Sequence, residues 1–241
     1  MNHITFSIIS RFSVCIPFIV GFLCYKKVSR KYRPFYLFLC LITLTDLIGS
    51  FIVLNFTRSP GIYWIIFHLN PLAEAIVIAF LYKTWCVFRN NRILFKSIII
   101  FYIVFWILIK VEFGFSPGPN NYFVLVSQIG NTILNLTLIN KLIKNEKSYL
   151  HLNALFILCI GFIFYSSMGI IPNAFVLDFF KTSHVFRKNV LVISDASVTL
   201  AYLFFAYALI LMTKEVTQKT SNFVLQSFTE TQPQAPQKNL V

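Results

Sequence analysis

Charge is the scarcest property of this sequence. Only 12% of its 241 residues are charged, and just eight of them are acidic. A soluble domain carries about 25% charged residues. With 57% hydrophobic residues beside that shortfall, the chain shifts to the membrane class. Catalytic signatures are missing too. There is no GxSxG, HExxH or Walker A loop and no paired-His ligand set. The four histidines are too few for an intramembrane zinc hydrolase, whose metal needs several converging ligands. We therefore expect no metal and no cofactor, and the reading leans away from an enzyme. The five cysteines, Cys15, Cys24, Cys40, Cys86 and Cys159, form no CxxC pair and sit inside apolar runs. That excludes a disulfide framework and fits small buried hydrophobes. The net charge of +13 does not imply nucleic acid, because the basic residues fall in short breaks rather than on one face.

Long apolar runs are what the chain does have. A spanning helix needs about 20 mostly apolar residues. Seven segments qualify: 4–25, 34–56, 62–83, 97–113, 122–143, 150–172 and 189–213, the fourth reaching back toward Arg92. Breaks rich in Gly, Pro, Asn and charge separate them, such as "TRSPG", "FRNNR" and "GFSPGPNN". With the N-terminus outside, fifteen Lys and Arg fall on the inner side and six on the outer. The positive-inside rule favours that orientation. The expected fold is all-α: a polytopic protein with seven transmembrane helices, N-out and C-in, in a cell membrane (the inner membrane if the source is bacterial). The first run has no A-x-A site after it and ends in the basic cluster Lys26–Arg33, so it reads as a retained helix kinked at Pro17. Residues 1–213 form the membrane domain, and 214–241, rich in Gln, Thr, Ser and Pro, read as a disordered cytoplasmic tail. That tail is too short for a catalytic domain. "EAIVIAFL" at Glu74 and "DASVTLAYL" at Asp195 echo each other, as a parallel 3+1+3 repeat would produce.

Three acids lie within spans: Asp46, Glu74 and Asp195. A charged side chain at the bilayer centre costs about 2.5–3.5 kcal/mol on insertion scales, so each should face the bundle interior. From the outer end of each helix, Asp46 is roughly 15 Å deep, Glu74 roughly 18 Å and Asp195 roughly 9 Å. Helical spacing adds companions on one face each. Asn70 pairs with Glu74; Thr43, Asp46 and Ser50 align; so do Gln128, Asn131 and Asn135, and Asp195, Thr199 and Tyr202. These stripes encode either a polar cavity or interhelical hydrogen-bonding glue. Arg11, roughly 9 Å below the outer end of its helix, matches Asp195 in depth, and the two would form an ion pair. Lys110 and Glu112 read as snorkelling ends of the fourth span. The outer loop 173–188 alternates Phe with charge and reads as a short interfacial helix or an anchored re-entry loop.

"DASVT" at Asp195–Thr199 resembles the Asp-x-Ser-x-Lys segment of helix 7 in microbial rhodopsins. That family's Schiff-base lysine falls on Thr199, so retinal linked in that way is excluded. "YRPFYLFLCLITLTDLIGSF" with "IYWIIFHLNPLAEAIVIAFLYK" resembles an uncharacterised bacterial family of small seven-helix membrane proteins, which implies no known activity. From the acids in the outer half, the leading expectation is a receptor-like or sensory protein. It would take a small cationic or hydrogen-bonding molecule and signal through a separate membrane or cytoplasmic partner. The alternatives are a small-solute or proton-coupled transporter and a structural membrane subunit. The lipid bilayer is an expected partner and nucleic acid is not.

Overall fold

The computed structural model describes residues 10, 12–55, 60–85, 87–88, 91–114, 117–145, 153–176 and 184–230. Among the described residues the secondary structure is helical throughout, with no strand. The helices are α1 (Cys15–Cys24), α2 (Arg33–Asn55), α3 (Pro60–Thr84), α4 (Arg92–Phe113), α5 (Pro117–Asn145), α6 (Ala154–Val176) and α7 (His184–Glu230). Two 3₁₀ turns, Tyr25–Lys27 and Arg30–Tyr32, carry the basic link from α1 to α2. Four stretches are long and apolar enough to cross a membrane: Arg92–Phe113, Asn121–Lys144, Ala154–Ala174 and Asn189–Lys214. They mark the chain as a membrane protein.

Local chemistry sets several boundaries. Asn91 caps α4, its Oδ1 accepting the Leu94 amide at 2.9 Å. Gly114, at φ 65°, ends the same helix in the left-handed region open to glycine. Asn153 starts α6 by accepting the Leu155 and Phe156 amides at 2.8 and 3.1 Å. That cap places the start of the helix at Ala154 rather than at residue 150. Pro17 sits in the first turn of α1, where its missing N–H is not needed, and the chain bends just before it at Ser13–Val14. α7 runs on past residue 213 to Glu230, since no Gly or Pro interrupts that stretch.

The helices close into a ring. α1 packs on α2, α2 on α3, α3 on α5, α5 on α6, α6 on α7, and α7 back on α1. α4 stands outside the ring against α3 and α5, and most of its residues face outward. In lipid, apolar faces gain little by meeting one another, so close packing and internal hydrogen bonds must hold such a ring. Aromatic rings supply the packing. Phe35 and Phe38 of α2 meet Phe162 of α6 and Phe205 of α7, with centroids 4.9–6.1 Å apart and all four rings fully buried.

Candidate binding site inside the helix ring

α3 carries the central acid past a weak point in its own backbone. Pro71 has no N–H to give the Phe67 carbonyl, and its ring crowds the preceding turn. Side chains of α4 brace that turn. Trp106 Nε1 donates to the His68 carbonyl at 3.0 Å, and Lys110 Nζ lies 2.7 Å from His68 Nδ1. Lys110, expected to snorkel at the helix end, is paired with this imidazole. It turns onto a fully buried histidine of the neighbouring helix.

One turn past the proline, Glu74 faces the ring interior and is 8% exposed. Gln128 Nε2 of α5 donates to its Oε1 at 3.2 Å. Tyr165 of α6 stands beside the Glu74 carboxyl group. The Tyr165 ring lies 6.3 Å from that of Tyr202 on α7, whose hydroxyl donates to Asp46 Oδ2 of α2 at 3.3 Å. Asp46 and Glu74 lie close enough to repel one another. Five helices thus contribute one polar group each to a cluster of Asp46, Tyr202, Tyr165, Glu74 and Gln128, called the relay below.

Several further polar atoms of the interior lack partners, among them Trp85 Nε1 and the Tyr36 and Tyr82 hydroxyls. Gln128 Oε1, Asn131 Oδ1, Asn135 Oδ1 and Asn70 Oδ1 are buried without a hydrogen-bond partner, as are Thr43 Oγ1 and Ser166 Oγ. The amide orientations follow from the donors. Gln128 Nε2 faces a carboxylate, and Asn135 Nδ2 donates to the Asn131 backbone carbonyl at 3.0 Å. Each buried acceptor left alone costs about 1–3 kcal/mol. Among the described residues no Lys or Arg is buried. Two carboxylates and four unpartnered amide carbonyls can accept hydrogen bonds or positive charge.

The expected residues divide into two groups. Asp46, Glu74, Gln128 and Tyr202 come together, and Asn131 and Asn135 continue the same buried face of α5. Asn70 is half-buried one turn from Glu74. Asp195 and Thr199 engage the segment before α1. Ser10 Oγ donates to the Asp195 carbonyl at 2.7 Å, and Thr199 Oγ1 donates to Ser10 Oγ at 3.1 Å and approaches Ser13 at 3.5 Å. Asp195 stands two turns, about 10 Å, along α7 from Tyr202. Arg11, and with it the expected ion pair to Asp195, lies outside the described residues, as do the Ser50 side chain and residues 177–183 of the outer loop. Sequence reasoning missed Tyr165 and Ser166. Their signal was a hydroxyl pair in the run "FIFYSSMG".

The fold and site together define an all-helical membrane protein with a buried, acceptor-rich polar cluster at the centre of its ring. No protein-family model, no curated protein and no solved structure matches the chain. Among the described residues no group of three His, Cys, Asp or Glu side chains could hold a metal ion.

Proposed function

We propose that the chain is a seven-span, N-out and C-in protein of the cell membrane that acts as a receptor-like sensor for a small, donor-rich cation. The observation that carries this reading is the presence of Asp46 and Glu74 in one partly buried cluster that includes unpartnered amide oxygens. An organic ammonium would bring the positive charge that the interior lacks and fill several of those acceptors. Its arrival would draw α2, α3, α5, α6 and α7 onto one ligand, and the basic inner loops would pass that change to a separate signalling partner. The test is a thermal-unfolding screen of the purified chain against a panel of primary, secondary and quaternary amines. A saturable stabilisation that Glu74→Gln and Asp46→Asn each weaken at least tenfold supports the reading. No stabilisation by any amine rejects it.

A second reading rests on the prolines. Pro71 in α3 and Pro172 in α6 interrupt the two helices that hold Glu74 and Tyr165. Near Pro172, Asn173 Nδ2 donates to the Gly169 carbonyl at 2.7 Å, as expected of a loosened turn. Interrupted helices around a polar site are how carriers build an alternating-access centre. Uptake of a bound amine or of protons by proteoliposomes, abolished by Glu74→Gln, would replace the sensor with a transporter.

A further inference from the structure

We propose that a small monovalent cation of the sodium type binds between α5 and α6, beside Glu74, on oxygens from Glu74, Gln128, Asn131 and Ser166. This rests on the reading of Glu74 as the anionic member of the internal site.

The α5–α6 register places the ligands. The two helices are joined by the short link 146–153 and pack along their length. Gly169 of α6 lies against Gln128 of α5: a Cβ added there would stand 3.4 Å from Gln128 Cγ and 3.6 Å from Cδ. α6 and α5 are thus in ordinary van der Waals contact where the Gln128 amide bonds Glu74. Three residues nearer the link on each helix stand Asn131 and Ser166. In an antiparallel pair this places them at one level, about 4.5 Å below Gln128. Both are buried, at 1% and 0% exposure, and neither oxygen has a hydrogen-bond partner. A serine hydroxyl within reach of the Asn131 carbonyl would donate to it. That each lacks a partner leaves both oxygens open to a ligand at that level.

On this register a cation beside Glu74 would draw on four oxygens: the Glu74 carboxylate, Gln128 Oε1, Asn131 Oδ1 and Ser166 Oγ, the last three without hydrogen-bond partners. Hard cations select all-oxygen sets of this kind, with carboxylate, amide carbonyl and hydroxyl mixed. A water molecule would offer two donors and no charge. A cation would satisfy every acceptor at once and neutralise the carboxylate. With one carboxylate among neutral oxygens, a single positive charge balances the site. Magnesium, which keeps several waters and demands strict octahedral geometry, does not suit a site set between packed helices.

The experiment is thermal unfolding of the full chain in detergent at constant ionic strength, exchanging choline chloride for sodium or potassium chloride. Sodium or potassium should raise Tm saturably by ~5 °C at about a hundredfold excess over Kd. Ser166→Ala removes one ligand and one orphaned hydroxyl. It should leave Tm in choline unchanged or higher, yet shift the cation titration at least tenfold. Asn131→Ala should do the same if it folds, and Ser166→Ala decides the matter if it does not. Equal Tm in all three salts, or a full cation response in Ser166→Ala, overturns the proposal. Loss of the cation response with amine stabilisation intact would remove this site alone. Loss of amine stabilisation with the cation response intact would remove the receptor reading alone.

Discussion

Two glycines on one helix should answer the same substitution in opposite ways. A methyl group added at Gly161 of α6 would stand 2.7 and 2.8 Å from Phe205 Cε1 and Cδ1 and 3.2 Å from Phe204 Cβ. Carbon pairs settle at about 3.5–4.0 Å, so the ring would have to retreat by nearly an ångström. It has nowhere to go. Phe205 is fully buried, with ring centroids 4.9 Å from Phe162 and 5.3 Å from Phe35. At Gly169 the nearest atom to the added methyl is Gln128 Cγ at 3.4 Å, an ordinary contact. Alanine gains about 1 kcal/mol over glycine in a helix interior, and that gain is common to both positions. The difference between the two variants therefore isolates the clash, about 1–3 kcal/mol for overpacking a full core. For a chain of this size that is ~2–12 °C in Tm. The assay is thermal unfolding of purified Gly161→Ala and Gly169→Ala in one detergent. Gly161→Ala should melt lower by that margin. Equal melting temperatures would refute the claim that α6 and α7 meet through a rigid aromatic contact.

The relay makes a sharper claim about pairs. A double-mutant cycle on Asp46→Asn and Tyr202→Phe should return a coupling of about 0.6–1.7 kcal/mol, the range seen for interhelical hydrogen bonds in bilayers, and zero coupling would refute the contact. Trp106→Phe keeps the ring but removes the donor to the His68 carbonyl beside Pro71. It should cost about 1 kcal/mol and speed amide exchange over residues 68–74, and unchanged exchange there would reject the bracing role of α4. Orientation is open to labelling in a cysteine-free background. Ser29→Cys and Asn91→Cys should be closed to an impermeant thiol reagent in intact cells and Asn121→Cys open, and the reverse pattern would overturn the N-out assignment.

What could be read from the residues depended on contrast. In an apolar background, Glu74 with Asn70, and Gln128 with Asn131 and Asn135, stood out at helical spacing, and their burial follows from it. Tyr165 did not stand out, because tyrosine counts among the apolar aromatics that fill α6. Ser166 had no polar neighbour a turn away to mark a stripe. Lys110 looked like a snorkelling end because nothing in a one-dimensional reading says that His68 comes alongside α4. Register between helices was not legible. Asp195 shares the polar face of Tyr202, yet α7 meets the segment before α1 at that level, so Ser10 and Ser13 take the contact.

The two kinds of interior contact imply a division of labour along the ring. Phe35 and Phe38 begin α2 next to the basic link. With Phe162 and Phe205 they make a layer that has one good packing and resists small changes in volume. A few turns on, the relay and its orphaned oxygens form the opposite kind of layer. Here an amide or hydroxyl can change partners for about 1 kcal/mol, and several arrangements lie close in free energy. A guest that fills those acceptors selects one arrangement. By linkage it can shift the population only as far as it binds that arrangement better than the others. Tyr165 and Tyr202 are the groups that touch both layers, since each lies within 6.5 Å of the Phe205 ring while Tyr202 bonds Asp46 and Tyr165 stands beside Glu74. On the sensor reading proposed above, a signal made at Glu74 and Asp46 would travel through these two tyrosines. Removing their hydroxyls together should uncouple guest binding from any movement of α6 against α7, while the aromatic layer keeps the ring closed.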